Sequence, residues 1–252
     1  MSKRNSTLSE KCTLGRVYEI FTSIQGEGIY CGERQIFVRL AGCNLNCSYC
    51  DTPAARDPRP TICRVNLQPL GDVVQESNPL GVDRVAAICR NMQTRTVAIT
   101  GGEPLAQPEF TAALLNILKR DGFRTYLETN GTLPKSLAEV VSNVDTVAMD
   151  VKIRSACGAD VDWDTHLEFL KVAKRTEVFV KAVVGFRTAV DEVAACAELI
   201  AQVGRGIPLV IQPVTGIEAV SGPQLMEFQK AALAHLDDVR VIPQCHKILG
   251  LS

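Results

Sequence analysis

The sequence carries no surplus of charge of either sign: 27 Lys and Arg stand against 28 Asp and Glu, a formal balance of -1. Holding a polyanion without base preference takes a strong positive field, so a generic DNA or RNA binder is excluded. No run approaches the ~18 uninterrupted apolar residues that a membrane-spanning helix needs. The opening MSKRNSTLSEK is polar and no apolar h-region follows it, so neither export nor membrane insertion is expected. Histidine is scarce, at three residues, and tryptophan occurs once, as Trp163. Internal repeats and low-complexity tracts are missing.

Cysteine is plentiful, with 10 in 252 residues. Without a secretory signal these read as thiols or metal ligands rather than a disulfide framework, and the expected compartment is a reducing cytoplasm. A hydrophobic content of 46% is ample for one sizeable core, so residues 1–252 are expected to form a single domain.

Short β-branched runs recur: VYEIF (17–21), IFVRL (36–40), TVAIT (96–100), TYLETN (125–130), TVAMDV (146–151), VFVKAVV (178–184), PLVIQPV (208–214) and VRVIPQ (239–244). Between them run helical stripes: Phe110, Leu114, Ile117 and Leu118; Val193, Ala197 and Ile200; Leu225, Phe228 and Ala232. Pro108 and Gly122 mark the start and stop of the first, Ser221 and Pro223 the start of the third, and Gly204 follows the second. Strand, helix and strand at this spacing give right-handed crossovers and a mostly parallel sheet, hence an α/β fold. About six units are too few for a closed eight-fold barrel and suit a partial (βα)6, TIM-like barrel that is open. A hairpin-like extension is expected at the amino-terminal end. Residues 53–80 are rich in proline and read as an insertion after the cysteine loop, outside the core rhythm.

Cys43, Cys47 and Cys50 stand in GCNLNCSYCDT, directly after the strand IFVRL. Thiolates this close can converge on one metal centre from a single loop, as iron–sulfur ligands do. A tetrahedral structural zinc wants four ligands, and Cys12, Cys31, Cys63, Cys89, Cys157, Cys196 and Cys245 are scattered singly. Spacing alone leaves zinc, or three buried small hydrophobes, as alternatives. A four-iron cluster on three cysteines leaves one iron open to a ligand, which is the mark of a catalytic metal site.

The CxxxCxxC spacing, with Tyr49 before the third cysteine, resembles the radical S-adenosylmethionine (SAM) superfamily, whose partial (βα)6 barrel fits the strand count. The resemblance implies a 4Fe-4S cluster on Cys43, Cys47 and Cys50. SAM would chelate the open iron, and one-electron cleavage of its sulfonium would give the radical that does the chemistry. The residues it places against SAM are Tyr49, Cys50, Asp51, Gly102 and Glu103 of ITGGEPL, then Asp150, Val151 and Lys152, then Gln212, Pro213, Val214 and Thr215. The last two sets end the fourth and sixth core strands, where barrel folds put their sites.

The block FTSIQGEGIYCGERQIFVRLAGCNLNCSYCDT and the closing VRVIPQCHKILGLS (239–252) are similar to the 7-carboxy-7-deazaguanine synthase family. With ITGGEPL, the likeness runs from about residue 17 to 252, and 53–80 departs from it. It implies a radical SAM lyase of 7-deazapurine (queuosine-type) biosynthesis that contracts 6-carboxy-tetrahydropterin to 7-carboxy-7-deazaguanine, releasing ammonia. Ile24, Gln25, Gly26, Glu27, Arg39, Thr100, His246 and the carboxylate of Ser252 would bind the pterin, with Thr52 on a magnesium ion and Asp51 as its rival. Glu27 would read the amino-pyrimidine edge, and Arg39 would clamp the substrate carboxylate. No protein nucleophile is required. Also implied are an external electron donor of the flavodoxin or ferredoxin type and a homodimer. Two other readings share the cysteine loop: a glycyl-radical activase, which has no use for QGEG or the HK tail, and a structural or electron-transfer metal module. His166 and His235 sit in helical stretches and read as packing or surface residues.

Overall fold

The computed structural model describes residues 13–67, 71–216 and 220–251, so Ser252 lies outside the described residues. In chain order the strands are β1 (Leu14–Gly15), β2 (Val17–Ile24), β3 (Arg34–Leu40), β4 (Ile62–Asn66), β5 (Val73–Ser77), β6 (Leu80–Gly81), β7 (Thr96–Gly101), β8 (Arg124–Thr129), β9 (Thr146–Val151), β10 (Glu177–Val184), β11 (Leu209–Pro213) and β12 (Val239–Val241). The helices are α1 (Val82–Arg90), α2 (Pro108–Arg120), α3 (Pro134–Val140), α4 (Arg154–Cys157), α5 (Trp163–Ala173), α6 (Val190–Ala201), α7 (Gly222–Leu233) and α8 (Cys245–Ile248). β1 pairs with β6, and the other ten strands form one sheet in the order β12-β11-β10-β9-β8-β7-β3-β2-β4-β5.

From β3 through β7 to β12 every neighbouring pair is parallel, and each connection from β7 onward carries at least one helix. The six parallel strands β7–β12 are those expected from the sequence after the cysteine loop, and β3 before the loop makes a seventh. β2 runs antiparallel to β3 as the expected hairpin. Residues 53–80, expected as an excursion, add β4 parallel to β2 and β5 antiparallel to β4, widening the sheet on the side away from β12. Helices α1 and α3 carry no stripe that the sequence reading picked out. β12 is shorter than VRVIPQ because the ladder ends once Ile242 N has reached Ile211 O, and Pro243 has no N–H to continue it.

Local signals explain the helix ends. Pro108 opens α2 in its first turn, and Gly122 follows it at φ +79°, a conformation L side chains resist. Ser221 caps α7 by accepting from Gln224 N, and Asp162 caps α5 by accepting from Asp164 N.

Two-residue alternation splits each strand between two layers. Val97, Ile99, Leu127, Val147, Met149, Val180, Leu209 and Ile211 pack under the helices in the main core. The alternate residues Phe37, Ala98, Tyr126, Ala148, Phe179 and Val210 form a smaller cluster on the other face, with Ile29, Tyr30 and Ile242 against it. Continuing the same parity toward the carboxyl ends puts Arg39, Thr100, Glu128, Asp150, Lys181 and Gln212 on that second face. Among the described residues, no helix is long and apolar enough to cross a membrane.

Candidate active site

The carboxyl ends of the parallel strands and the 25–33 loop of the β2–β3 hairpin surround one cavity. Cys43, Cys47 and Cys50 all line it and are half-buried. Their loop is held by the neighbouring backbone: Ser48 N donates to Cys157 O at 2.9 Å, Ser48 Oγ to Ala156 O at 2.8 Å, and Asn130 Nδ2 to Asn44 Oδ1 at 2.8 Å. The glycines of ITGGEPL press against it from the other side. Gly102 N donates to Leu40 O, and Glu103 N to Gly42 O at 2.8 Å. A Cβ on Gly102 would sit 2.0 Å from Gly42 O, so this close approach requires glycine.

Glu103 is fully buried and does not line the cavity; its oxygens accept from Leu105 N, Thr129 Oγ1 and Asn130 N. Burial pushes its carboxyl up, and those hydrogen bonds oppose the push. Tyr49, Asp51, Asp150 and Lys152 line the cavity with Cys50 and Gly102. Lys152 Nζ lies 2.9 Å from Asp150 Oδ2 and donates to Tyr49 Oη at 3.3 Å. Burial would lower this ammonium, and Asp150 beside it more than reverses that. His166 fixes the same strand end: Nδ1 donates to Gly131 O at 3.0 Å and Nε2 accepts from Lys152 N at 3.2 Å. Burial holds this imidazole down at about 4, so it is a neutral packing residue, as the sequence suggests. Val151 faces the main core, and Gln212, Pro213, Val214 and Thr215 lie outside the cavity lining.

The opposite wall gathers Ile24, Gln25, Gly26, Glu27, Arg39, Thr100 and His246. Three residues the sequence reading missed, Lys181, Gln244 and Glu128, organise it. Lys181 Nζ forms an ion pair with Glu27 Oε2 and lies 3.3 Å from Asp150 Oδ2, while Gln244 Nε2 donates to Glu27 Oε1 at 2.8 Å. Burial alone would raise the Glu27 carboxyl; the Lys181 charge and the hydrogen bonds from Lys181 and Gln244 overcome it and hold the group at about 2. Glu128 accepts from Gln25 Nε2 at 2.8 Å and from Thr100 Oγ1 at 2.7 Å, fixing both groups. Arg39 Nε is taken by Glu19 at 2.8 Å. The His246 ring lies against Gly26, where a Cβ would meet Nδ1 at 2.2 Å. Strand parity was the available signal for Glu128 and Lys181, which share the face of Thr100 and Asp150.

Ligand atoms of Glu27, Asp51 and His246 all lie within 4.8 Å of one another. Thr52 Oγ1 donates to Asp51 Oδ1 at 3.1 Å and does not itself line the cavity. The donor set fits the groups expected here: three thiols on one wall suit an iron–sulfur cluster, and the buried, unpartnered Oδ1 of Asp150 suits a hydroxyl-bearing ligand beside it.

Comparison with known proteins identifies the family. Residues 37–200 match the Radical SAM superfamily, which defines the class. The 7-carboxy-7-deazaguanine synthase of Geobacter sulfurreducens is 42% identical over 245 residues, covering 92% of this chain and 96% of its own. That of Methanothermobacter thermautotrophicus is 35% identical over 259 residues, covering 93% and 97%. The chain belongs to the 7-carboxy-7-deazaguanine synthase family. In fold it resembles the crystal structure of QueE from Escherichia coli, with a TM-score of 0.63 over 95% of this chain and 100% of that one at 22% identity.

Proposed function

We propose that the chain makes 7-carboxy-7-deazaguanine from 6-carboxy-tetrahydropterin by radical ring contraction with loss of ammonia, a step of 7-deazapurine biosynthesis. One observation carries this reading: a single cavity has three cluster-spaced thiols on one wall and a carboxylate, amide, guanidinium and imidazole on the other. Cys43, Cys47 and Cys50 would hold a 4Fe-4S cluster, which with SAM bound and a low-potential external donor would supply the one-electron chemistry.

The chain's own residues bind, orient and shield. Glu27, kept ionised by Lys181, accepts the N–H groups of the amino-pyrimidine edge. Gln25 adds an amide contact, and Glu128 holds it and Thr100 in place. With Nε given to Glu19, Arg39 turns its remaining N–H groups to the substrate carboxylate. Thr52, with Asp51 beside it, offers the hard oxygens that suit magnesium, which would also meet that carboxylate. His246 and Gln244 close the cavity from the tail and exclude water. Asp150 and Lys152, ion-paired at their strand end, would face SAM.

The direct test is Glu27→Gln in cluster-loaded protein. SAM cleavage with reductant should persist while 7-carboxy-7-deazaguanine formation drops about 100-fold or more, the cost of losing a buried charged partner. Full product formation by this variant would contradict the reading.

A further inference from the structure

Gln35 is a polar residue on a mostly apolar face. It precedes Phe37 and Arg39 on β3 at two-residue spacing, so it shares the cavity side of the sheet, yet it does not line the cavity. It is fully buried, on the face that also carries Phe37, Tyr126 and Phe179. An amide in such a place costs free energy unless both of its ends are bonded.

Both ends are bonded, and in a fixed order. Gln35 Nε2 donates to Glu33 Oε2 at 3.2 Å, and Glu33 Oε1 accepts from Thr96 Oγ1 at 2.7 Å. A carboxylate only accepts, so the Gln35 amide turns its nitrogen to Glu33 and its oxygen to Gln25, whose Nε2 donates to it at 3.2 Å. Gln25 Nε2 also donates to Glu128 Oε1 at 2.8 Å, and Gln25 Oε1 accepts from Glu27 N at 3.1 Å. Glu33 thus orients Gln35, Gln35 and Glu128 orient Gln25, and Gln25 holds the backbone from which the Glu27 carboxylate projects. With both Nε2 hydrogens taken, Gln25 meets a ligand only through the remaining lone pair of Oε1.

We propose that Gln35 is a positioning residue for pterin recognition: it relays the polarity of Glu33 to the Gln25 amide, and so sets the acceptor that Gln25 offers to the substrate and the seat of Glu27. This role rests on the function proposed above. The relay depends on polarity rather than bulk. Gln35→Met keeps the length of the side chain and removes both bonds. The exchange Glu33→Gln with Gln35→Glu keeps them: position 33 then donates to position 35 and still accepts from Thr96, and position 35 still accepts from Gln25 Nε2.

The test measures the Kd of 6-carboxy-tetrahydropterin for cluster-loaded protein with SAM and no reductant, then KM and kcat with reductant. Gln35→Met should raise Kd and KM at least about tenfold, because a buried amide and a carboxylate lose their partner. Its kcat should stay within about threefold, and its SAM cleavage without pterin should be unchanged, a split that general loosening of the fold would not give. The exchange should return Kd to within about threefold of the unsubstituted value. An unaltered Kd in Gln35→Met would overturn the proposal, as would an exchanged protein that binds no better than Gln35→Met. If Gln35→Met fails to fold, Gln35→Glu alone, which sets two carboxylates against each other, takes its place in the same comparison. An unsubstituted chain that cleaves SAM but binds no pterin would overturn the functional reading and this role with it, whereas an unaltered Kd in the variant overturns this role alone.

Discussion

The two walls of the cavity are built by different means. The wall that holds the cysteines is made by backbone: glycines pressed onto strand ends, Ser48 and Asn44 tied to neighbouring loops, and a neutral buried His166 under Lys152. The wall that holds Gln25, Glu27 and His246 is made by charged side chains, with Lys181 at its centre and a thinly packed tail at its rim. Thiol ligands must converge within a narrow geometry, which rigid main chain supplies. A heterocycle with donors and acceptors along its edge is read by charge and amide groups, whose positions depend on one another.

Damage to the cysteine wall should be all or none. Replacing Cys43, Cys47 or Cys50 with alanine should abolish SAM cleavage and cluster absorbance, and retained cleavage in any one variant would break the ligand assignment. Gly102→Ala should come next. Its Cβ would meet a carbonyl oxygen at 2.0 Å, so the loop must shift, and iron content per chain should fall severalfold while the fold survives by circular dichroism.

The charged wall should fail by degrees. Lys181→Met leaves Glu27 and Asp150 without their shared cation, a change expected to cost about 3–5 kcal/mol in denaturant unfolding. The same change should raise the Glu27 carboxyl from about 2 toward its ordinary range and weaken pterin binding at least tenfold, with cluster loading retained. Equal loss of cluster and pterin binding would erase the distinction between the walls.

His166 gives a pH-dependent effect. Its folded-state value near 4 lies below the model-peptide value of 6.5, so the unfolded chain takes up the proton first as pH falls. Its stabilising contribution is therefore full above pH ~6.5 and shrinks as pH drops toward ~4, by about 3 kcal/mol in all. His166→Gln should flatten that part of the stability-against-pH curve. At the small end, Val74→Thr on β5, a residue 49% exposed, should change stability by less than about 0.5 kcal/mol and leave both walls intact.

Much of the fold was legible because alternation and helical stripes are local signals. TVAMDV coincides with β9, and Pro108, Gly122 and Ser221 stand at the helix ends they mark. The strands within 53–80 were hidden by the prolines that flank them and by their short length, five residues each. In the site, the cysteine loop is contiguous and its ligands could be read directly. The Glu27 partners are not, since Lys181 and Gln244 lie 154 and 217 positions away and only the folded sheet brings them together.

The most direct measurement is anaerobic turnover by cluster-loaded protein with SAM, reductant, magnesium and 6-carboxy-tetrahydropterin, read by mass spectrometry. The two-wall site predicts 7-carboxy-7-deazaguanine and ammonia in equal amounts. Cleavage of SAM without either product, in a sample whose pterin affinity is intact, would contradict it.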